Sequence, residues 1–298
     1  MGTLIWPDET ARPAAQEDPR FVQAGSNICL DFHGDPHRAQ LAVFSDGNHH
    51  MALQEALRAF LAKYPELEDI FYLTTPPGVA LDFLRAGYLG VGNLRLTVSP
   101  HVFISPPPVL EQLVAEGRMN THFPFMRSRG IVLLVRKGNP KQVAGVESLL
   151  RPDVRLFLSN PVNEKVSHEI YTNCLHCLAG ELGLKLGFLA HPPGQPDPNK
   201  LTYGATIHHR EAPQALADGR ADVAVVFYHL ALRYQRIFPD LFEFVRPEGV
   251  RAESGCDNSS IHCGLIGDGG AWGVRLLAYL RTKEVASIYD THGLSAAD

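Results

Sequence analysis

The sequence lacks the charge and hydropathy features of two large classes of protein. Its formal net charge is −5 over 298 residues, and no block of lysine and arginine is present, whereas a nucleic-acid-binding protein usually carries a basic field. Its longest purely aliphatic run, residues 131–135, is far shorter than the roughly 20 residues that span a bilayer. The sequence therefore predicts neither nucleic-acid binding nor insertion into a membrane.

Cysteine is scarce, and the N-terminus lacks a secretory signal. The five cysteines are an odd number that cannot form a complete set of disulfides, which favours a reducing compartment. The N-terminal segment is charged and rich in proline, without an apolar core or a small-residue cleavage site. We expect residues 1–26 to form a loosely held arm. Either the protein stays in the cytoplasm or a signal has been removed, so its location is left open.

Catalytic signatures are also missing. The sequence contains no G-x-S-x-G, no H-E-x-x-H and no phosphate-binding loop. The run Gly90-Val91-Gly92 lacks the surrounding strand and helix of a nucleotide-binding loop. We therefore expect a protein that is not an enzyme, and an enzyme built on the same fold stays an alternative.

What the chain does contain is one junction that occurs four times: an apolar strand, a Ser or Thr turn, and the start of a helix. This junction places short polar side chains beside the free N–H groups of a helix N-terminus, where proteins hold anions and polar ligands. It also lies at the carboxyl edge of an α/β sheet, where ligands usually bind. A single such turn is ordinary helix capping, but four predict a cleft around a small ligand. The candidate ligand-binding residues at these junctions are Ser45, Asp46, Asn48, Thr74, Thr75, Ser105, Ser159 and Asn160.

Hydropathy patterning predicts strands that alternate with helices, and 298 residues suit two lobes rather than one. Leu53, Leu57 and Phe60 recur at helical spacing, which predicts an amphipathic helix over residues 48–66. The alternation predicts an α/β fold of mainly parallel sheets flanked by helices. The other expected helices cover 79–86, 109–116, 164–183, 212–218 and 270–282, and the other expected strands cover 94–104, 130–137, 154–158, 201–208, 221–228, 242–245 and 261–266, with a loop at 191–198.

Five segments, taken in order, are similar to those of a known family. They are Ala42-Val43-Phe44-Ser45 before a helix, LEQLVAEGRM at 110–119, RGIVLLVRKGNP at 129–140, ALADGRADVAVVFY at 215–228 and SIYDTHGL at 287–294. From about residue 41 to residue 294, the chain resembles the molybdate-type substrate-binding proteins of ABC transporters, which are class II periplasmic binding proteins.

The resemblance implies a two-lobed α/β molecule of the Venus-flytrap type, which closes over its ligand. It implies a tetrahedral oxyanion such as molybdate, tungstate or sulfate, held by hydroxyl and N–H groups, with no required cofactor. The implied divisions are lobe one at 27–125 plus 232–298, lobe two at 128–230, and crossovers near 126–130 and 226–232.

The resemblance also implies roles for particular residues and for partners. It gives binding roles to Ser45, to Thr74 or Thr75, to Ser159 with Asn160, and to Tyr228 at the crossover. The implied partners are a small inorganic ligand and an ABC permease or another receptor, and the implied location is periplasmic or extracellular. We expect a monomer.

Two positions depart from the family's pattern. The usual Gly-Ser-Gly of the second loop is here Thr75-Pro76-Pro77-Gly78, and the first turn continues with an acidic residue and two histidines. A carboxylate repels an oxyanion and attracts a cation. The alternative ligand is therefore a divalent metal, held by Asp46, His49 and His50.

Cys174 and Cys177 form a C-x-x-C pair, which is a familiar zinc half-site. The sequence offers no second pair at a standard spacing, and both residues fall inside a predicted helix at i and i+3. A zinc half-site and two small buried residues are both compatible with this pattern.

Overall fold

A computed structural model describes residues 31–190, 199–205, 207–247 and 259–297, together with Asp197. The expected arm at 1–26 and most of the expected loop at 191–198 lie outside the described residues. Two large sheets, each covered by helices, and one short hairpin make up the described part of the chain.

Strands and helices alternate along the first part of the chain, and a 3₁₀ turn, Gly47–His49, precedes the first helix. The elements up to the first crossover are β1 (Phe32–His33), β2 (Leu41–Ser45), α1 (His50–Lys63), β3 (Ile70–Thr74), α2 (Pro77–Ala86), β4 (Leu89–Val91), β5 (Leu94–Leu96), β6 (Val102–Ser105), α3 (Pro107–Ala115) and β7 (Met119–Ser128).

The alternation continues after the crossover, with short 3₁₀ turns at Val146–Leu150 and Gly187–Ala190. The remaining elements are β8 (Ile131–Arg136), β9 (Leu156–Leu158), α4 (Lys165–Glu181), β10 (Leu201–Tyr203), α5 (His208–Ala217), β11 (Val223–Phe227), α6 (Tyr228–Ile237), β12 (Phe242–Val245), β13 (Ser260–Ile266), α7 (Gly270–Leu280), α8 (Lys283–Thr291) and β14 (Leu294–Ala296).

The first sheet has the strand order β1-β3-β2-β6-β13-β7-β14. Strands β3, β2 and β6 run parallel, and their register pairs Ser45 with Thr74 on one side and with Ile104 on the other. These three strands therefore end at the same level, and the turns that follow them emerge side by side.

The second sheet has the order β10-β9-β11-β8-β12, in which β10, β9 and β11 are parallel. The predicted two-lobed α/β fold is confirmed, but the sheets are mixed rather than mainly parallel. Strands β8 and β13 carry the chain into each sheet from the other lobe, and each runs antiparallel to its neighbours.

The chain leaves the first sheet at residues 129–130, between β7 and β8, within the predicted crossover near 126–130. It returns only after β12, because Phe242–Val245 pairs with β8 and Phe242 is buried in the second core. The predicted second crossover near 226–232 is instead the junction of β11 and α6. Residues 232–247, which were expected in lobe one, therefore belong to the second lobe.

Each lobe has its own hydrophobic core. In the first lobe, two clusters cover the two faces of the sheet, and a third cluster surrounds the second sheet. Helix α1 buries Leu53, Leu57 and Phe60 as predicted. Cys174 is buried in the second core and Cys177 is disulfide-bonded, so the C-x-x-C pair does not offer two free thiolates to zinc. Among the described helices, none combines the length and the apolarity needed to span a membrane.

Three predicted strands differ in extent from the observed ones. The strand expected at 94–104 is two separate strands, β5 and β6, and the strand expected at 221–228 ends one residue before α6 begins. The strand expected at 201–208 ends at Tyr203. It ends there because the Glu211 carboxylate accepts the backbone N–H groups of Ala205, at 2.6 Å, and Ile207, at 2.8 Å, which sets the start of α5.

Replacing Leu53 with Ala tests the packing of α1 on the first sheet. Leu53 is 0% exposed, so we expect Leu53→Ala to lower the free energy of unfolding by about 2–5 kcal/mol. Leu182→Ala is the matched control, because Leu182 is 51% exposed and its truncation should change that free energy by no more than about 0.5 kcal/mol. Urea denaturation measures both, and equal effects would contradict the assigned packing.

Candidate ligand site between the lobes

Three buried turns meet where the parallel strands of the first sheet end. Asp46 follows β2, Thr75 follows β3 and Ser105 closes β6, and none of the three is more than 1% exposed. The backbone N–H of Asp46 donates to the carbonyl of Ile104, 3.2 Å away, which holds the Asp46 turn against β6. The structure thus brings together these predicted residues of the first lobe.

Three of the predicted hydroxyl groups are buried without a partner. Within the described residues, Thr75 Oγ1, Ser105 Oγ and Ser159 Oγ have no hydrogen-bond partner, and each residue is 0% exposed. Leaving a buried polar group unpaired costs about 1–3 kcal/mol. A ligand whose atoms accept hydrogen bonds would remove this cost. Thr75 and Ser105 belong to the first lobe, and Ser159 belongs to the second.

The Ser45 hydroxyl is used inside the first lobe. Ser45 Oγ donates to the carbonyl of Asp46 at 3.1 Å and lies 3.0 Å from His49 Nε2. His49 Nδ1 lies 2.9 Å from the hydroxyl of Tyr289. All of these groups are satisfied when Nε2 donates to Ser45 and Nδ1 accepts from Tyr289. Ser45 therefore anchors the turn rather than facing a ligand.

Two other predicted residues also have structural contacts. Asn160 Oδ1 accepts the backbone N–H groups of Val162, at 2.8 Å, and Asn163, at 3.2 Å, so its side chain caps the turn before α4. Tyr228 begins α6, and its ring packs against Phe244 and under the guanidinium of Arg246, 3.9 Å away. The structure does not direct the Tyr228 ring toward the Asp46 turn.

The predicted metal ligands do not converge. Asp46 Oδ1 accepts the backbone N–H of Asn48 at 2.9 Å, whereas His50 Nδ1 donates to the carbonyl of Gly47 at 2.8 Å and His49 points into the first lobe. In the described part of the chain, no group of three His, Cys, Asp or Glu side chains could hold a metal ion. The prediction of a metal site at Asp46, His49 and His50 is therefore wrong.

Two cavities border the Asp46 turn between the lobes. The inner cavity measures about 30 Å³ and lies beside the strand ends near the crossovers, between Asp46 and Pro106 of the first lobe and Phe227 and His229 of the second. A larger cavity of about 220 Å³ lies on the other side of the turn, against Glu164 and neighbouring residues at the start of α4. Asp46 and Asn48 line both.

Burial disfavours the charged forms of the acids and bases around these cavities. It raises the pKa of Asp46 to about 6 and that of Glu164 to about 7. It lowers the pKa of His229 to about 3. Among the described residues, neither ring nitrogen of His229 has a hydrogen-bond partner. His229 was not predicted from the sequence, because its only local signal is its position after the buried strand β11.

Prolines remove amide donors from two of the helix N-termini. Helix α2 begins at Pro77 after Pro76, and α3 begins at Pro107 after Pro106, and proline has no backbone N–H. The first amide of α3, that of Val109, donates to the carbonyl of Pro106 at 3.0 Å. These two helix starts therefore offer fewer free amides than a helix N-terminus without proline.

The two lobes touch around the Asp46 turn. Met51 of α1 packs into the core of the second lobe, and Arg210 forms an ion pair with Asp31 across the cleft. A Cβ atom on Gly47 would lie 2.9 Å from His209 Cε1 and 2.6 Å from the carbonyl oxygen of Thr74, so only glycine fits there without a shift. The structure therefore corresponds to a closed arrangement of the lobes.

Comparison with known proteins identifies the family. A family model described as bacterial extracellular solute-binding protein matches residues 41–295. The chain belongs to this family. The resemblance stated from the sequence is confirmed at this level, and the cleft between the lobes is the place where the fold binds a solute. No curated protein matches the chain.

Solved structures confirm the fold of this solute-binding protein. The periplasmic molybdate-binding protein of Azotobacter vinelandii has a TM-score of 0.63 at 13% identity, covering 87% of this chain and 100% of that one. The sulfate-binding protein SubI of Mycobacterium tuberculosis has a TM-score of 0.61 at 15% identity, covering 87% of each chain. The tungstate ABC transporter structure from Geobacter sulfurreducens has a TM-score of 0.55 at 14% identity, covering 84% of this chain and 97% of that one.

The buried histidines make stability depend on pH. Burial lowers the pKa values of His49, His208 and His229 to about 3 and that of His50 to about 4. Below pH 6.5 the unfolded chain binds protons at these positions and the folded chain does not. Each histidine therefore lowers the free energy of unfolding by about 1.4 kcal/mol per pH unit. The buried carboxyl groups with raised pKa values have the opposite effect on stability, but these groups are fewer than the histidines. We expect the free energy of unfolding, measured with urea, to be lower at pH 5.5 than at pH 7.5.

A matched variant isolates one of these histidines. His208 stacks on Phe157 at 5.6 Å and contacts Tyr171 at 5.3 Å between ring centroids, so His208→Phe preserves an aromatic ring and removes the titrating group. This variant should reduce proton uptake on unfolding by about one. A pH-independent stability in the parent protein would contradict the assignment of neutral buried histidines.

Proposed function

We propose that this protein captures a small tetrahedral oxyanion, such as molybdate, tungstate or sulfate, in the cleft between its lobes. The observation that carries the proposal is the set of buried, unpaired hydroxyl groups of Thr75 and Ser105 in the first lobe and Ser159 in the second. Donors from both lobes suit a ligand whose oxygens accept hydrogen bonds on several sides. The molybdate, sulfate and tungstate names of the similar structures support the same ligand class.

The electrostatics of the inner cavity fit binding by neutral groups. No lysine or arginine lines it among the described residues, so the ligand would be held by hydroxyl and amide dipoles rather than by a counter-charge. Burying an anion is costly unless its oxygens are hydrogen-bonded. In a closed cleft with low dielectric, each such bond is stronger than in water.

Closure supplies the link between binding and transport. The ligand bridges residues of two lobes, so it stabilises the closed arrangement relative to the open one. The closed protein would then deliver its ligand to an ABC permease or another receptor. On this proposal the protein acts as a monomer and binds its ligand without turnover.

Removing one unpaired hydroxyl should weaken binding without unfolding the protein. We expect Ser105→Ala and Ser159→Ala each to raise the dissociation constant for molybdate by about 10-fold or more, because a hydrogen bond to a charged group contributes about 1.5–3 kcal/mol. Isothermal titration calorimetry with molybdate, tungstate and sulfate measures the effect. Ser287→Ala, at an exposed position on α8, is the control and should bind like the parent.

The titrations also separate the ligand classes. The proposal is overturned if none of the three oxyanions gives binding heat with the parent protein. Equal affinities in Ser105→Ala, Ser159→Ala and Ser287→Ala would also overturn it. Zinc and nickel are titrated in parallel. If a metal raises the melting temperature and none of the oxyanions does, the protein binds a cation instead.

The Asp46 carboxyl should make anion affinity depend on pH. Its pKa is raised to about 6 by burial, so it is ionised and repels an anion at pH 7.5, and it is mostly neutral and able to donate a hydrogen bond at pH 5.5. Sulfate stays a dianion over this range, and we expect it to bind about 10-fold or more tightly at pH 5.5. Asp46→Asn preserves the acceptor for Asn48 and should abolish most of the pH dependence. An unchanged dependence in Asp46→Asn would exclude this role.

A further inference from the structure

A wide cavity between the lobes lies outside the oxyanion site. It measures about 520 Å³ and lies between α1 and β3 of the first lobe and α5 and α6 of the second. We call it the lateral cavity. Its polar end is lined by Asp31, His50, Arg210 and Arg233. A cavity of this size falls in the range that accommodates organic ligands, about 300–1,000 Å³, and it is far larger than a tetrahedral oxyanion needs.

The polar end of the lateral cavity carries an excess of positive charge. Arg210 is ion-paired with Asp31. Arg233 has no ion pair or hydrogen bond within the described residues, although it is partly buried, and burial lowers its pKa. The nearby His50 and His209 are neutral at pH 7, because burial lowers both pKa values. The cavity therefore holds two guanidinium groups and one carboxylate.

The other end of the lateral cavity is apolar. Ile237, Phe238 and Leu241 line it and are 49%, 43% and 50% exposed, respectively. Large hydrophobic residues grouped at one site and left open to solvent mark a binding surface more often than isolated ones do. They continue from α6, the helix that carries Arg233, so an apolar group placed on them lies on the same wall as the unpaired cation.

We propose that the lateral cavity binds an organic anion whose carboxylate, sulfonate or phosphate group pairs with Arg233 and whose apolar body lies on Ile237, Phe238 and Leu241. A planar guanidinium binds such oxyanionic groups through two parallel hydrogen bonds. Pairing removes the cost of the uncompensated cation, and burial of the apolar body supplies affinity. The site does not depend on the oxyanion site, since His209 packs against Gly47 between the two.

The probe for this site is 8-anilinonaphthalene-1-sulfonate, which combines a sulfonate with aromatic rings and fluoresces in apolar surroundings. Titrated into the full chain, it should bind with a stoichiometry of one. Arg233→Gln should raise its dissociation constant about 10-fold or more. Arg236→Gln is the matched control, because Arg236 lies one turn further along α6, is exposed and does not line the cavity. This control should leave probe binding unchanged.

Competition defines the ligand class. 4-Phenylbutanoate should displace the probe at least 10-fold more effectively than 4-phenylbutan-1-ol, which has the same apolar body without the charge. Inorganic phosphate should displace it poorly, because it lacks the apolar body. Equal displacement by the acid and the alcohol, or by the acid and phosphate, would overturn the proposal.

A second variant and a molybdate titration complete the test of the lateral cavity. Leu241→Ser removes apolar contact at a half-exposed position and should also weaken probe binding. This variant tests the site even if Arg233→Gln fails to fold. Molybdate affinity should be unchanged in Arg233→Gln, so loss of the probe site and loss of the oxyanion site can be told apart. The inference is wrong if the probe does not bind, if Arg233→Gln and Arg236→Gln bind it equally, or if molybdate displaces it mole for mole.

Discussion

The arrangement of the whole cleft depends on one buried turn, in which polar groups are satisfied without water. The turn leaves β2 between β3 and β6, and its backbone is held to β6 through the N–H of Asp46 and the carbonyl of Ile104. The chain of contacts from Ser45 through His49 to Tyr289 fixes it to the core of the first lobe. Buried polar groups favour one geometry strongly, because any other leaves them unpaired.

The same turn sets how closely the lobes approach. Gly47 faces His209 of the second lobe and the carbonyl of Thr74, at distances that leave no room for a side chain. Met51, in the first turn of α1, reaches the core of the second lobe. The residues that anchor the turn in one lobe are thus followed directly by those that meet the other. A ligand bound at this turn would therefore couple directly to closure of the cleft.

Local patterns in the sequence predicted the strand and helix junctions well, because these depend on near neighbours. The periodicity of α1 and the ends of the parallel strands β2, β3 and β6 are of this kind. The use of the Ser45 hydroxyl was not predictable, since it depends on Tyr289, which is 240 residues from His49 in the chain. Strand β7 also escaped prediction, because its sequence MNTHFPFMRS contains polar residues and Pro124 rather than an apolar run.

Other errors came from reading adjacent residues as spatial neighbours. Asp46, His49 and His50 lie within five positions, but each points to a different partner in the folded turn. Helix α6 begins where the second crossover was expected, because β12 returns to pair with β8. Arg233 gave no sequence signal of its own. Its significance arises only because α6 places it opposite residues of the first lobe.

The charge of the donor groups differs between the deep inner cavity and the wider lateral cavity. No lysine or arginine lines the inner cavity in the described part of the chain, and the unpaired hydroxyl groups of Thr75, Ser105 and Ser159 are fully buried. A full cation at that depth would need desolvation that a closed cleft without ligand does not offset. Arg233 lies in a wider cavity and is only partly buried, so water can solvate it while the site is empty. Uncharged donors at the deep cavity and a charged donor at the shallower one follow from the same constraint, because each group must be stable in the protein without a ligand.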